Sequence, residues 1–410
     1  MDNIKKKNLA ILFLGSLVPY TPEFQNPGVS LSGLLVQEGI VDGLLNQNLQ
    51  VDILSSQPIP SFPNYKTFFC KRIKISYKDR AFITTLPAIN IIVIREIMKG
   101  TYAFFTIILW SLKNLNKKRC ILQYGVYSPP LPIIFFACKI TNSKFVSLLY
   151  DLGMPPKKIN IGRIRTIIYY FVELFAKILI PRLDGRIVIN ENVSLDYAQQ
   201  KHCLLIDGGI NNNVKSRLFD LKVNTTNSSD TIFLCAGALW PINGTQVVID
   251  AMKINKNQNI KIWFAGKGID LPIIRQAEEN DSRIKYLGML DLDQLFSYYQ
   301  KVDVLMNVRV TEDDECRYLF PSKFFEYLVT GKYVITTQVA HLERDYGHVC
   351  SVLSNNSPET LSNEMEEISK MSKLELNAKG EKARKYMIEN RTWDIQSAKI
   401  YEYINSTVFI

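Results

Sequence analysis

Apolar runs recur along the chain, and most are too continuous for strands with one wet face. LAILFLG, LQVDILSS, CILQYG, KFVSLLYD and GRIVIN fall in the first half; TIFLCAG, IKIWFAG, IKYLG, VDVLMNV, YVITT and CSVL follow in the second. Between them, the spacing of apolar residues predicts helices over 32–46, 245–253, 271–279, 292–300 and 358–371. Continuous apolar strands alternating with helices imply parallel sheets covered on both faces, an α/β class. The series restarts after LLIDGGINNNVKSRLFDLKVNTTNSSD, a polar stretch rich in Asn and Ser. This predicts two doubly wound, Rossmann-like domains, 1–205 and 229–391, joined by a linker over 206–228 and facing each other across a cleft. Ligands of such sheets bind beyond the carboxyl ends of the strands, so the loops after strands are the places to search.

Composition narrows the class. With 410 residues and 47% hydrophobic content the chain can bury two ordinary cores. No run reaches the roughly 18 apolar residues of a membrane span. The opening MDNIKKKNLAILFLGSLVPY reads as a first buried strand and not as a leader, because its apolar run is short and meets Gly15. Seven cysteines, none spaced C-x-x-C, read as reduced thiols of a cytoplasmic protein. Only three histidines are present, which leaves little material for a zinc site or a His-centred triad. Charge is unevenly divided: residues 1–205 hold 25 Lys+Arg against 12 Asp+Glu, or +13, and residues 206–410 hold 24 against 27, or −3. The basic half calls for an anionic partner. No nucleic-acid motif accompanies it, so an anionic membrane surface fits better. The segment RIRTIIYYFVELFAKILIPR (163–182) reads most simply as a buried helix of the first sheet, with Glu173 and Lys177 able to pair four apart. Lys157, Lys158, Arg163 and Arg165 at its start could add electrostatic adhesion to lipid.

The densest chemistry lies in MNVRVTEDDECRYLFPSKFFEYL. A strand ends near Asn307 with Arg309 at its mouth, and a helix is expected to begin on Pro321-Ser322-Lys323. The free N–H groups of a helix start, with Lys323 and Arg309, suit a phosphate. Glu326, one turn on, can accept two hydrogen bonds from a vicinal diol such as a ribose. Together they describe a sugar-nucleotide site. The plainer alternative is a surface Lys323–Glu326 helix pair. Gly266 and Gly268 of FAGKGID, and Gly28 in the long loop after the first strand, could let backbone approach a ligand. Asp291 and Asp293 precede an amphipathic helix and read as caps, so no metal is expected.

In GALWPINGTQVVIDAM, WFAGKG, YLGML, YYQKVDVLMNVR and FPSKFFEYLVTGKYVITT, the second half resembles the retaining GT-B glycosyltransferases of group 1, or family 4. The first half matches in outline, and TWDIQSAKIYEYI resembles the family's last helix, which implies that 392–410 returns to the first domain. The resemblance implies a nucleotide-sugar donor, UDP-linked in preference to GDP-linked, and retention. It implies a glycan or lipid-linked acceptor in bacterial surface-polysaccharide assembly. The enzyme would need no cofactor and would sit in the cytoplasm, peripheral to the inner membrane face. It places Glu326 on the donor ribose, and Ser322, Pro321, Gly266, Gly268, Met289, Asn243 and Gly244 around the donor. The family's partner glutamate is replaced by Tyr318, and its loop Arg and Lys by Ala238 and Asn243. A common histidine falls at Tyr150, beside Asp151. Arg309, Lys323 and Asp151 are therefore the expected catalytic set, with Gly28, Tyr150 and Glu315 on the acceptor side. The departures also admit a catalytically silent scaffold of the same fold; a nucleotide-sugar epimerase would need carboxylates and a histidine that the chain lacks.

Overall fold

The computed structural model describes residues 8–21, 24, 28–150, 152, 163–199, 201–211, 229–310 and 317–409. Asp151, Glu315 and most of the expected linker lie outside the described residues. The chain divides into two compact units, Met1–Gly209 with Trp393–Ile410, and Ile210–Thr392.

The first unit runs β1 (Leu9–Gly15), α1 (Leu31–Asn46), β2 (Gln50–Ser55), β3 (Phe69–Cys70), β4 (Lys74–Tyr77), β5 (Ala81–Thr85), β6 (Ala88–Ile89), α2 (Ile92–Lys113), β7 (Lys118–Tyr124), α3 (Leu131–Thr141), β8 (Lys144–Leu149), α4 (Arg163–Leu179), β9 (Gly185–Val188), α5 (Glu191–Tyr197) and β10 (Leu204–Leu205). Among the described residues its sheet has the order β10-β9-β8-β7-β1-β2-β5-β4, parallel except for the β4–β5 edge, while β3 pairs with β6. Every residue of β1 is buried, as a central parallel strand requires.

The second unit runs β11 (Thr231–Ala238), α6 (Thr245–Ile254), β12 (Ile260–Lys267), α7 (Leu271–Asn280), β13 (Ile284–Tyr286), α8 (Leu292–Lys301), β14 (Val304–Asn307), α9 (Ser322–Val329), β15 (Tyr333–Thr337), α10 (Leu342–Tyr346), β16 (Ser351–Leu353), α11 (Pro358–Ser369) and α12 (Lys373–Asn390). Its strands are ordered β13-β12-β11-β14-β15-β16, all parallel. Asp291 caps α8 in a reciprocal box with Gln294.

The chain ends in α13 (Trp393–Tyr403), which packs on α1 within the first unit. Gly39 and Gly43 make the close approach possible, since a Cβ at either would strike Trp393 or Ser397. Ser397 donates to the Ile40 carbonyl at 3.2 Å.

One expectation fails. The 163–182 helix is not buried: Ile167, Tyr170, Phe171, Leu174, Phe175 and Ile178 of α4 are all exposed. Their spacing of three and four puts them on one stripe. The pair Glu173–Lys177 does form, at 3.5 Å, and Glu173 accepts from the Tyr197 hydroxyl at 2.6 Å. The polar side of α4 is thereby tied to α5 and the apolar stripe is left outside.

Candidate active site

In the second unit β11 lies between β12 and β14, so the chain winds away from it in both directions. The loops after β11 and β14 part at this point, which is where doubly wound sheets form their crevice. A cavity of about 140 Å³ opens there. Its walls include Gly237, Ala238, Asn243, Arg309, Ser322 and Lys323.

Aromatic packing sets the start of α9. Phe320 stacks between Phe325 and His341, with ring centroids 5.5 and 5.1 Å away. Phe324, Tyr327 and Leu328 are buried, which anchors the helix. Pro321 is the residue before the helix and not part of its first turn, a correction of the sequence reading. It has extended backbone and no side chain that can cap, so side-chain groups leave the first N–H groups of α9 open.

Lys323 and Tyr327, four apart, project from one face and converge on Ala236. The Lys323 ammonium donates to its carbonyl at 2.8 Å, and the Tyr327 hydroxyl donates to the same oxygen at 2.8 Å. Gly237 makes this possible. Its φ of +137° is left to glycine, and a Cβ there would occupy the place of the Lys323 ammonium. Sequence reasoning passed over Gly237 and Tyr327, because their partners lie 86 and 91 residues away.

The charges sit in poor solvent. Burial pulls the Lys323 amine below the usual lysine range, with Arg309 adding to the effect and Glu326 opposing it. Burial likewise pushes the Glu326 carboxyl up, against the pull of Lys323. Among the described residues, nothing hydrogen-bonds the Glu326 carboxylate, and no Lys323–Glu326 ion pair forms within 4 Å. The surface-pair alternative is thereby removed. Arg309 is held at its backbone, whose N–H donates to Thr337 Oγ1 at 3.0 Å.

The remaining expected donor residues divide. Ser322 and Asn243 line the cavity, and the Asn243 amide donates to the Ala238 carbonyl at 2.7 Å. Gly244 takes a left-handed conformation against Val308 and opens α6. Gly266 and Gly268 do not line the cavity. Each lets its strand end pack on the backbone of the β11 end, Gly266 on the Gly237 carbonyl and Gly268 on that of Leu239. Their glycines are explained by sheet packing. Met289 is exposed and is not a wall residue either.

The first unit has its own cavity, of about 280 Å³, beyond the ends of β1, β2 and β7. Gly28 and Tyr150 line it. The Tyr150 ring is buried and its hydroxyl donates to the Ile206 carbonyl at 2.6 Å, so it acts as a wall. The sequence reading missed the charges here: Arg95, Glu96 and Lys99, in the first two turns of α2. Their signal was three charges at i, i+1 and i+4 inside an apolar helix.

Residues 230–370 match the family model described as glycosyl transferases group 1. The match lies wholly within the second unit and takes up about a third of the chain. Among the curated proteins, none matches the sequence. Solved structures similar to the whole chain include sucrose-phosphate synthase from Thermosynechococcus elongatus, at 13% identity and a TM-score of 0.65, covering 97% of this chain and 99% of that one. Anabaena HepE in complex with UDP gives 13% and 0.63, covering 97% and 100%. A glycosyltransferase from Rickettsia africae gives 14% and 0.61, covering 98% and 99%. At such identity these likenesses concern the fold, which is that of the GT-B glycosyltransferases. Within the second unit, the cavity at the β11–β14 crevice and the start of α9 both lie inside the matched residues.

Proposed function

We propose that the chain transfers a sugar, with retention, from a nucleotide-sugar to a glycan or lipid-linked acceptor of a cell-surface polysaccharide. The observation that carries this is the α9 start. A desolvated Lys323 and Arg309 share the wall of one cavity with Ser322, at a helix start that no side chain caps, while one turn on a half-buried Glu326 carboxylate has no hydrogen-bond donor among the described residues. Phosphate oxygens satisfy the first group and a ribose diol the second. UDP is favoured as the nucleotide because the similar HepE structure was solved with it. Two cations at the departing diphosphate lower the cost of the charge that develops there. The diphosphate can take the acceptor proton as it leaves, so no separate protein base is required. Asp151 and Glu315, outside the described residues, stay in the proposal only through the resemblance.

No metal is needed in this reading, because Asp291 is engaged as a helix cap. Activity is expected to survive EDTA. Loss restored by manganese or magnesium would overturn metal independence. The function itself is tested by turnover with a panel of nucleotide sugars, preceded by thermal stabilisation with UDP and GDP. A scaffold that lost catalysis is favoured by Asn243, whose amide is tied to Ala238 and takes the place of a cation. Stabilisation by UDP without turnover of any donor would favour the scaffold.

We also propose that the first unit rests on an anionic membrane. Among the described residues no helix is long and apolar enough to cross one. The exposed stripe of α4, the exposed Ile97, Phe105, Leu109 and Leu112 of α2, and the charge of +13 over residues 1–205 support adhesion.

A further inference from the structure

The polar cavity of the first unit contains charges that nothing in the donor chemistry uses. Lys99 is buried, with a side chain only 4% exposed. Its ammonium donates to Ser128 Oγ at 3.3 Å and lies 3.5 Å from Glu96, both long contacts. Glu96 also pairs with Arg95 Nε at 2.9 Å, while Arg95 Nη1 donates to the Ile59 carbonyl and to Asn90. The three groups sum to one positive charge. The second carboxylate oxygen of Glu96 is buried and has no hydrogen-bond partner. Burying an unbalanced charge and an orphan acceptor is unfavourable without a ligand to satisfy them. An anion complements the first and a hydroxyl donor the second.

A larger groove, of about 780 Å³, adjoins this cavity and shares Gly28, Ile59, Arg95, Glu96, Tyr127 and Ser128 with it. Beyond the shared wall its lining is mainly apolar, with Leu131 and Pro132 of α3 and Phe171, Val172 and Phe175 of α4, and Ser61 and Asn64 are its polar members. Phe171 and Phe175 also belong to the exposed stripe of α4, so the groove runs out onto that apolar face. A free sugar has no use for the groove, and an apolar chain has no use for a buried lysine.

We propose that the first unit binds an amphiphile whose phosphate-bearing head enters the cavity beside Lys99 and Arg95 and whose hydrocarbon chain lies in the groove. Taken with the transferase reading, on which only this step rests, the occupant is a lipid-linked acceptor and not a free glycan. The chain enters along the α4 stripe, and a head hydroxyl donates to Glu96.

The test uses the full chain with geranylgeranyl phosphate, geranylgeraniol and inorganic phosphate, each below any micelle concentration, and reads binding by calorimetry. The phosphate lipid is expected to bind at least about tenfold more tightly than either fragment, the worth of a charge-assisted contact in a dry site. Lys99→Met should abolish the preference for the phosphate lipid over the alcohol. Phe175→Ser should weaken both lipids alike. Equal binding of alcohol and phosphate lipid by the unaltered protein overturns the proposal. Inorganic phosphate binding as tightly as the lipid overturns it too, by leaving an anion site alone. Should Lys99→Met fail to fold, the three-ligand comparison and the surface variant Phe175→Ser still decide. Lipid binding without any UDP stabilisation would sink the donor reading and leave this one standing; UDP stabilisation without lipid binding would do the reverse.

Discussion

Each unit places a lysine at the carboxyl end of its sheet with a glutamate three residues away on the same helix, yet the pairs differ. In the first unit Glu96 sits between Lys99 and Arg95, so most of the charge is compensated inside the cluster. In the second, Lys323 turns to a backbone carbonyl and leaves Glu326 alone. The difference comes from the strand end beneath. Gly237 opens space for the Lys323 amine, and the lysine moves off the helix face it would share with Glu326. An uncompensated lysine and glutamate a turn apart can hold two groups of one ligand, phosphate and diol. A compensated cluster with one net charge can hold only the head of a ligand whose bulk binds elsewhere.

The comparison breaks most sharply at Gly237. Gly237→Ala forces a side chain into a φ of +137° and into the space of the Lys323 ammonium. Strain of this kind costs about 1–3 kcal/mol. The displaced amine should also abolish UDP-induced thermal stabilisation. A variant stabilised by UDP as strongly as the parent would show that Lys323 does not depend on the glycine.

Glu326→Gln sharpens the other half. Charge-assisted hydrogen bonds contribute about 1.5–3 kcal/mol, so donor affinity should fall about 10–100-fold by calorimetry. The same change should stabilise the empty protein. Burial raises the Glu326 pKa, with the Lys323 charge as the opposing influence, and the buried Tyr299 and Tyr327 hydroxyls face the same carboxylate. A raised pKa means that the ionised carboxylate is unfavourable in the folded state: its contribution is most favourable below the unfolded value near 4.5 and is lost as pH rises through the folded one. The melting temperature of Glu326→Gln should therefore exceed that of the parent at pH 7, and the gap should shrink as pH falls towards 4.5. A gap independent of pH would show that the carboxylate is not desolvated.

How much of this could be read beforehand depended on distance along the chain. The apolar runs that became β1, β2, β7, β8, β9 and β11 to β16 were legible because parallel strands are largely buried and need no partner to be recognised. The β3 to β6 region was not, since its strands are short and their burial is broken, as in Lys74–Tyr77. Lys323, Arg309 and Ser322 were legible from a local motif, the helix start after a strand. Gly237 was not, because its reason is a side chain 86 residues away. Gly266 and Gly268 show the same limit: a glycine after a strand announces a close approach but not what approaches, and here each packs on the backbone at the β11 end. In α4 the helix and the Glu173–Lys177 pair were legible, whereas the direction of its apolar stripe depended on Glu173 meeting Tyr197 of another helix.

That direction supplies the smallest effect and the last test. The two units differ in where large apolar side chains are left exposed: on whole helix faces of α2 and α4 in the first, and at scattered positions such as Ile254, Ile269 and Leu374 in the second. If the first unit lies on lipid, Tyr170 and Leu174 are informative, because both are exposed on the α4 stripe and neither lines the groove. Moving part of such a side chain out of water contributes about 1 kcal/mol, so each change to Ser should weaken binding to anionic vesicles roughly fivefold. The electrostatic part should behave differently. Replacing Lys157, Lys158, Arg163 and Arg165 with Ser, or adding salt, should weaken adhesion to anionic vesicles, and neutral vesicles should bind little in any case. Both contributions are needed because one amphipathic face gives only reversible adhesion. Equal binding to neutral and anionic vesicles would remove the electrostatic part. Vesicle binding unchanged by Tyr170→Ser and Leu174→Ser together would mean that the exposed stripe of α4 meets something other than lipid, and that the asymmetry between the units serves a protein partner.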